Sequence, residues 1–222
     1  MGNEQEKKIK VIANGPYEIS GHIPVNQLRF VPDAQGNSLD YQKIDSYLDQ
    51  EKCYLCRCGH SHEKPFCDGN HDHIHFEGKE AASHQTYDEM AKTIQGHVMD
   101  LMDAEELCAV ARFCDTHGST WQLIEQGTTE QEKEIIKEQC VHCPSGRLTA
   151  VTKEGERIEP LLEKEISVLE DTAAMVHGPL WVKGGIEIED AEGEPYPVRN
   201  RVTLCRCGKS YNKPFCDGNH MR

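Results

Sequence analysis

A short segment with three cysteines and a terminal histidine occurs twice in this chain, and it constrains the fold more than any other feature. The first copy, CRCGHSHEKPFCDGNH, spans residues 56–71, and the second, CRCGKSYNKPFCDGNH, spans residues 205–220. Upstream of each copy lies a Gly-Pro segment, GPYEISGHIPV or GPLWVKGGIEI, in which apolar residues alternate with other residues. This alternation predicts half-buried strands, with a bend at Gly21 and Gly184. Each copy is therefore predicted to be a small β-rich unit that ends in a cysteine-histidine site.

The spacing within each copy arranges the candidate ligands in two pairs. The cysteines of C-x-C are two residues apart, so on an extended backbone their side chains face the same way. The third cysteine and the histidine are four residues apart, so on a helical turn they also share a face. Two irons with two ligands each are the simplest occupant, while a zinc ion with a Cys3His ligand set and a role without metal are the alternatives. The candidate ligands are Cys56, Cys58, Cys67 and His71 in the first copy, and Cys205, Cys207, Cys216 and His220 in the second.

Other residues near these ligands are interpreted by comparing the two copies. Cys53 precedes Cys56 closely, but its equivalent in the second copy is Val202, so Cys53 is not predicted to be a ligand. On an extended backbone, Arg57 and Arg206 point away from the ligands. They are predicted either to be solvated or ion-paired, or to tune the charge of the site. Phe66 and Phe215 are predicted to be apolar covers of the sites. Five other histidines are predicted to be surface or core residues: His60, His62, His73, His75 and His117.

The residues between the copies, 81–158, differ in composition and predict an inserted module. The segment DAEELCAVARF at 103–113 predicts a helix with Asp103 as its N-cap, and EQEKEIIKEQC at 130–140 predicts a second helix. In the first copy, additional residues upstream of the motif, including residues 32–37, predict a loop.

The inserted module carries a second arrangement of cysteines. Cys108 and Cys114 are followed, after a longer gap, by Cys143 in a C-P-S-G segment. A cysteine followed by proline after earlier cysteines is one mark of ferredoxin-type ligation, although Ala111 stands where a bacterial four-iron run has a further cysteine. Cys140 precedes Cys143 on the predicted helix and could supply a fourth thiolate. Ligation by three cysteines, ligation by four, and a role as buried core thiols all stay open.

Charge and composition exclude several classes of function. The formal net charge of −14 argues against a nucleic-acid surface, and it suits either a solvated acidic surface or docking to a basic redox partner. No run approaches the ~20 apolar residues that cross a bilayer. Cysteines without an apolar leader segment indicate metal ligation in a reducing cytoplasm. Without a phosphate-binding loop, a dinucleotide fingerprint or a nucleophile elbow, the chain is not predicted to be an enzyme.

The pattern C-x-C-x2-S-x3-P-x-C-D-G-x-H resembles the signature of the CDGSH iron-sulfur proteins, the mitoNEET-like family, with Asn70 and Asn219 where that family usually has Ser, Ala or Thr. The resemblance implies one [2Fe-2S] cluster in each copy, held by the three cysteines and the histidine. Residues 105–150 resemble a divergent mono-cluster ferredoxin domain. That resemblance implies a [3Fe-4S] or [4Fe-4S] cluster held by Cys108, Cys114 and Cys143, with Cys140 as the candidate fourth ligand.

These expectations describe an α+β protein in three parts: an N-terminal CDGSH unit at 1–80, a divergent ferredoxin-like α/β module at 81–158, and a C-terminal CDGSH unit at 159–222. Because single-motif relatives are homodimers, the two copies are expected to pair about a pseudo-two-fold axis within one chain, and a homodimer of whole chains is the alternative. The expected function is electron transfer with a redox partner protein. Cluster storage or transfer to an apo-acceptor, redox sensing, and a purely structural role for the clusters are the alternatives.

Overall fold

The computed structural model describes residues 7–47 and 49–222 of the chain. This part of the protein has the predicted α+β fold, built on three β-sheets with a few short helices. No helix among these residues is both long enough and apolar enough to cross a membrane.

The elements follow the three predicted parts in chain order. The first copy contains β1 (Lys8–Val11), β2 (Tyr17–Ser20), β3 (Val25–Pro32), β4 (Ser38–Ser46), β5 (Lys52–Leu55) and the one-turn helix α1 (Asn70–His73). The inserted module contains α2 (Tyr87–Met90), β6 (Lys92–Ile94), β7 (Asp100–Asp103), α3 (Thr120–Gln126), α4 (Glu130–His142), β8 (Leu148–Val151) and β9 (Arg157–Ile158). The second copy contains β10 (Glu165–Asp171), β11 (Val176–Lys183), β12 (Glu187–Glu189) and β13 (Arg201–Leu204).

The two copies exchange strands. One sheet has the order β12-β1-β2-β5, and the other has the order β13-β11-β10-β3-β4. β1 pairs in parallel with β12, and β3 pairs in parallel with β10, whereas the pairs inside each copy are antiparallel. The third strand of each copy thus lies beside the first strand of the other. This reciprocal arrangement confirms the predicted pseudo-two-fold pairing, and one chain completes it.

The exchanged strands bury their apolar side chains in one common core. Ile19 of β2 is 2% exposed in an alternating strand, as the sequence predicts. β11 is not half-buried, because Trp181 is buried along with Leu180 and Val182. Gly21 and Gly184 turn the chain after these strands with positive φ values of 88° and 72°. Side chains from both copies belong to the same cluster. Neither copy alone would bury as much apolar surface, because small units bury a smaller fraction of their chain.

The inserted module is a four-stranded antiparallel sheet, β6-β7-β8-β9, packed against α3 and α4. The helix predicted at 130–140 is confirmed as α4. The Thr129 side chain caps it by accepting a hydrogen bond from the N–H of Glu132, whose carboxylate reaches back to Thr129. On its inner face, Ile136 and Cys140 pack into the core of the module.

The helix predicted from Asp103 onward is wrong. Asp103 ends β7, only the 3₁₀ turn Glu105–Leu107 follows, and Val110 and Arg112 have positive φ values of 54° and 60°. A residue with positive φ cannot continue a right-handed helix. The Asp103 carboxylate does not cap a helix because the guanidinium of Arg147 binds it at 2.6 and 2.9 Å.

The residues predicted as a loop in the first copy form a tight turn and then a strand. Asp33 Oδ1 accepts hydrogen bonds of 2.8 Å from the backbone N–H groups of Gln35 and Asn37, which closes the turn. β4 then runs back along β3 as an antiparallel edge strand. The loop prediction therefore holds for the turn alone.

Tyr17 carries a prediction about the exchanged core. Its buried hydroxyl lies 2.7 Å from the carbonyl oxygen of Cys205 and 3.0 Å from that of Pro214, both in the other copy. Tyr17→Phe removes this donor and is expected to lower the free energy of unfolding by about 1–2 kcal/mol. The control is Tyr54→Phe, whose exposed hydroxyl bonds to Glu18 and whose loss is expected to cost less than about 0.5 kcal/mol. Equal losses in denaturant unfolding would contradict the prediction.

Candidate metal centres

In each copy a strand leads into the cysteine motif, and the chain then folds back on it. The Cys56 N–H donates to the carbonyl of Pro65 at 2.8 Å, and the Cys67 N–H donates to the carbonyl of Tyr54 at 2.9 Å. The corresponding hydrogen bonds are present in the second copy. They bring the two halves of each motif together across the end of the strand.

The candidate ligands form the two pairs that the spacing predicts. In the first copy, the Sγ atoms of Cys56 and Cys58 are 3.7 Å apart, and Cys67 Sγ is 3.3 Å from His71 Nδ1. The same distances in the second copy are 3.7 and 3.5 Å. A tetrahedral metal with bonds of about 2.3 Å to sulfur and about 2.1 Å to nitrogen separates two sulfurs by roughly 3.8 Å and a sulfur and a nitrogen by roughly 3.6 Å. Each pair thus has the spacing of two ligands on one metal atom.

The two pairs of a copy do not meet around one point. Within residues 7–47 and 49–222, no group of three or more His, Cys, Asp or Glu side chains is placed to hold a metal ion. A single zinc would need all four donors within about 2.0–2.3 Å of one centre. Each copy therefore offers two separate pairs of donors.

Backbone N–H groups and burial act in opposite directions on the ligand thiols. The N–H groups of His60 and Gly69 lie 3.5 Å from the sulfurs of Cys58 and Cys67, where they favour the thiolate. Burial raises the pKa of Cys58 to about 11 and also raises the pKa of Cys67. These thiols are protonated at neutral pH when no metal is bound, so a metal must displace their protons.

Arg57 and Arg206 are buried, so the solvated alternative is wrong, while ion pairing and tuning of the charge of the site stay open. They are 1% and 6% exposed, and their Nε atoms donate to the carbonyls of Gly15 and Gly178 at 2.8 and 2.6 Å. Arg206 is also ion-paired, with Glu170 at 2.7 Å. Each arginine ties C-x-C to a Gly-Pro step, which precedes β2 in the first copy and lies inside β11 in the second. This contact gives a physical reason why both segments recur together.

The other residues shared by the two motifs hold their turns, a role that sequence reasoning missed. Ser61 donates to the carbonyl of Phe66 at 2.6 Å, and the Asp68 carboxylate accepts from the N–H groups of His62 and Asn70 at 2.8 and 3.0 Å. Those hydrogen bonds lower the pKa of Asp68, which stays ionised. The second copy repeats this network. The sequence signal that could have predicted this role is that the serine and the aspartate recur in both copies of the motif.

The three cysteines predicted for the inserted module line one pocket. Cys108 follows the 3₁₀ turn Glu105–Leu107, Cys114 lies in a second 3₁₀ turn, and Cys143 is the C-cap of α4. Cys140 is placed differently. Its side chain is 0% exposed and belongs to the core of the module, against which Cys114 and Cys143 also pack, and it is not among the residues that line this pocket.

A partly buried ion pair beside this pocket was missed by sequence reasoning. Arg147 lies along the Asp103 carboxylate and 5.0 Å from the ring of Trp121, which donates to Asp103 at 2.9 Å. Burial alone would lower the pKa of Arg147, but hydrogen bonds with Asp103 and Cys108 raise it. Arg147 therefore places a fixed positive charge beside a candidate thiolate. The two charged residues are distant in sequence, and nothing in the pattern predicts that they meet.

The two CDGSH motifs differ in how their Cys-His pairs are covered. Phe215 and Cys216 are 7% and 2% exposed, whereas Phe66 and Cys67 are only partly buried. The inserted module forms part of the cover, because Asn212 donates to the Glu106 carbonyl at 3.3 Å.

Comparison with known families agrees with this geometry. The family described as "Iron-binding zinc finger CDGSH type" matches residues 14–72 and 177–221, and the family described as "Divergent 4Fe-4S mono-cluster" matches residues 94–153. The chain is a CDGSH-type iron-sulfur protein. Its two CDGSH regions contain both predicted Cys3His sets, and the mono-cluster region contains all three cysteines of the middle pocket. No curated protein and no solved structure matches this CDGSH protein.

The matched regions fall inside the predicted parts 1–80, 81–158 and 159–222, whose boundaries stay a prediction. The strand exchange adds that the first and third parts share one core.

Two cysteines three residues apart give a matched test of the middle site. Cys143→Ala removes a pocket-lining thiol and is expected to abolish the iron bound by the module, while Cys140→Ala removes a core thiol and is expected to leave the iron content unchanged. Iron analysis of both purified variants measures this. Loss of the same amount of iron in Cys140→Ala would assign Cys140 as a ligand.

The cluster-free protein is expected to lose stability in alkali. Burial raises the pKa of Cys53 and Cys58 to about 11 from 9.0. The folded state therefore keeps protons that the unfolded chain releases near pH 9, and the free energy of unfolding falls as pH rises from about 9 to about 11. Denaturant midpoints of iron-free protein measure the effect. Cys53→Val, with Val202 at the equivalent position, is expected to weaken the pH dependence, and an unchanged dependence would contradict this assignment.

Proposed function

We propose that this CDGSH protein binds one [2Fe-2S] cluster in each copy of the motif and transfers electrons without acting as an enzyme. One observation carries the proposal: each motif holds its donors as two pairs, 3.7 Å apart for the two cysteines and 3.3 or 3.5 Å apart for cysteine and histidine. Two irons with two protein ligands each satisfy that geometry, whereas a single zinc does not. The bound clusters would supply one-electron chemistry, with one histidine per cluster placing the potential between all-cysteine and two-histidine centres.

The middle pocket supports a third cluster. Three thiols line it, and Arg147 beside Cys108 supplies a positive charge that offsets the charge of the thiolates. Because Cys140 does not line the pocket, we propose ligation by Cys108, Cys114 and Cys143 alone. Three protein thiolates suit a [3Fe-4S] cluster or a [4Fe-4S] cluster with one iron that lacks a cysteine.

Access to solvent supports exchange with a partner protein. A groove of about 500 Å³ between the motifs is lined by Cys207 and His220, together with Lys64 and Lys209. Cys67 and His71 of the first copy are themselves partly exposed. Ligands near the surface shorten the path to a redox partner. We propose a one-electron carrier protein as that partner and the reducing cytoplasm as the setting.

Cluster storage, transfer or redox sensing is the second candidate function. It is favoured by the partly exposed Cys67–His71 pair, because an acceptor protein can approach the ligands on that edge. The assay mixes holo-protein with apo-ferredoxin and compares the rate of cluster acquisition with the rate supplied by free iron and sulfide. A faster gain from the holo-protein would favour transfer over electron relay.

The proposed function is tested by iron and acid-labile sulfide analysis of anaerobically purified protein, with electron paramagnetic resonance (EPR) before and after dithionite. Two [2Fe-2S] clusters and a third site predict about seven or eight irons with matching sulfide and reversible signals. Four irons and four sulfides would mean that the middle cysteines are core thiols that hold no cluster. Zinc without sulfide, or clusters that no accessible potential reduces reversibly, would overturn the electron-transfer function.

A further inference from the structure

The two CDGSH motifs touch each other through their C-x-C-G turns. A Cβ atom added to Gly59 would lie 2.7 Å from the carbonyl oxygen of Cys207, and one added to Gly208 would lie 2.6 Å from the carbonyl oxygen of Cys58. Both glycines have positive φ values, 81° and 77°, and carry no side chain to separate the turns. The glycine after each C-x-C pair thus packs against the backbone of a candidate ligand from the other site.

The inserted module reaches the C-terminal motif through its first cysteine loop. A Cβ atom added to Gly218 would lie 2.3 Å from Cγ2 of Val110 and 3.6 Å from the carbonyl oxygen of Cys108. Val110 is a β-branched residue at a positive φ of 54°, a conformation that needs support from its surroundings. At Gly69, the equivalent glycine of the N-terminal motif, no atom lies within 4 Å of such a Cβ.

The second cysteine loop of the module reaches the same motif. Arg201 begins β13, which leads into the C-terminal motif, and its Nη1 donates to the carbonyl of Cys143 at 2.9 Å. Arg199 donates to the carbonyl of Ser145 at 3.3 Å and lies 4.9 Å from the ring of Phe215. Both loops that carry the middle cysteines therefore contact the C-terminal unit, and the first loop also packs on β3 and β4, the first-copy strands of the same sheet.

The equivalent positions of the N-terminal copy make different contacts. Lys52 stands where the other copy has Arg201, and its ammonium pairs with Glu18 on the surface at 2.9 Å. Gln50 stands where the other copy has Arg199, and it is exposed. The internal symmetry is thus broken by residues that differ between otherwise matched positions.

We infer that the C-terminal site, Cys205, Cys207, Cys216 and His220, is the central member of a linear array, with the middle-pocket site on one side and the N-terminal site on the other. Electrons exchanged between the two outer sites pass through it, because electron tunnelling slows steeply with distance. The inference rests on the proposed electron-transfer function. One electron enters from a reduced carrier protein, each step oxidises one site and reduces its neighbour, and an oxidised carrier protein takes the electron away.

Pairwise spin coupling tests the order. Three variants of the full chain each lack one cluster: Cys67→Ala with His71→Ala, Cys216→Ala with His220→Ala, and Cys143→Ala. Iron analysis identifies the two clusters that remain in each variant. EPR power saturation is then recorded with both remaining clusters paramagnetic. It measures how strongly each cluster speeds the spin relaxation of the other. Relaxation several-fold faster is expected in the two variants that keep the C-terminal cluster. Stronger coupling between the N-terminal and middle clusters than between the middle and C-terminal clusters would overturn the order.

Substitutions at two matched glycines test the contact while every ligand stays in place. Gly69 and Gly218 have φ values of 83° and 80°, so alanine strains the backbone equally at both, and only Gly218→Ala also meets Val110. Gly218→Ala is expected to change the EPR signal of the middle cluster as well as that of the C-terminal cluster. Gly69→Ala is expected to change the N-terminal signal alone. Adding Val110→Gly to Gly218→Ala removes the clash and is expected to restore the middle signal.

An unchanged middle signal in Gly218→Ala, at full iron content, would overturn the inferred contact between the two sites. Failure of the proposed function gives a different result. Spin coupling is read in a fixed redox state, so it reports the order of the sites even when the clusters do not cycle. A correct order without reversible cycling would remove the electron-transfer function and leave the array in place.

Discussion

The pairing of each copy's first strand with the other copy's third strand is the constraint on which the rest of the structure depends. It makes β1 and β10 inner strands whose hydrogen bonds are completed across the pseudo-two-fold axis. It also gives two small units one shared core, which neither could bury alone. With the strands fixed in this way, the two C-x-C-G turns meet at Gly59 and Gly208. The separation of the two metal centres thus follows from strand pairing.

Within each unit, charged side chains buried against backbone carbonyls connect the metal site to the sheet. Arg57 and Arg206 donate to the glycine carbonyl of a Gly-Pro step, and Arg201 donates to the end of α4. A buried guanidinium is tolerated only when its donors are satisfied. These contacts hold the cysteine loops in place and leave the thiols free for metal. The same loops expose backbone N–H groups to sulfur, which offsets the cost of burying thiolates.

The inserted module makes the two otherwise similar sites unequal. It covers the C-terminal motif through Val110 and through the Glu106 carbonyl, while the Cys67–His71 edge of the N-terminal motif stays accessible. Two sites with the same ligands therefore differ in solvent exposure and in neighbours. Solvent exposure and nearby charge are among the properties that set the potential of a cluster, so the fold gives similar motifs different redox environments.

Local spacing determined the donor pairs, the half-buried strands and helix α4, because each depends on residues within one or two turns of each other. That the two units would pair was implied by the resemblance to single-motif homodimers, together with the repeat. Sequence could not determine the strand exchange, the burial of Arg57, or the meeting of Asp103 with Arg147, since each joins residues far apart in the chain. It failed for the helix predicted from Asp103 because a distant arginine takes the carboxylate that would cap it. Only the tertiary structure decided which CDGSH site the middle pocket adjoins, because that choice rests on contacts of the inserted module with the C-terminal motif and with β3 and β4, the first-copy strands that join its sheet.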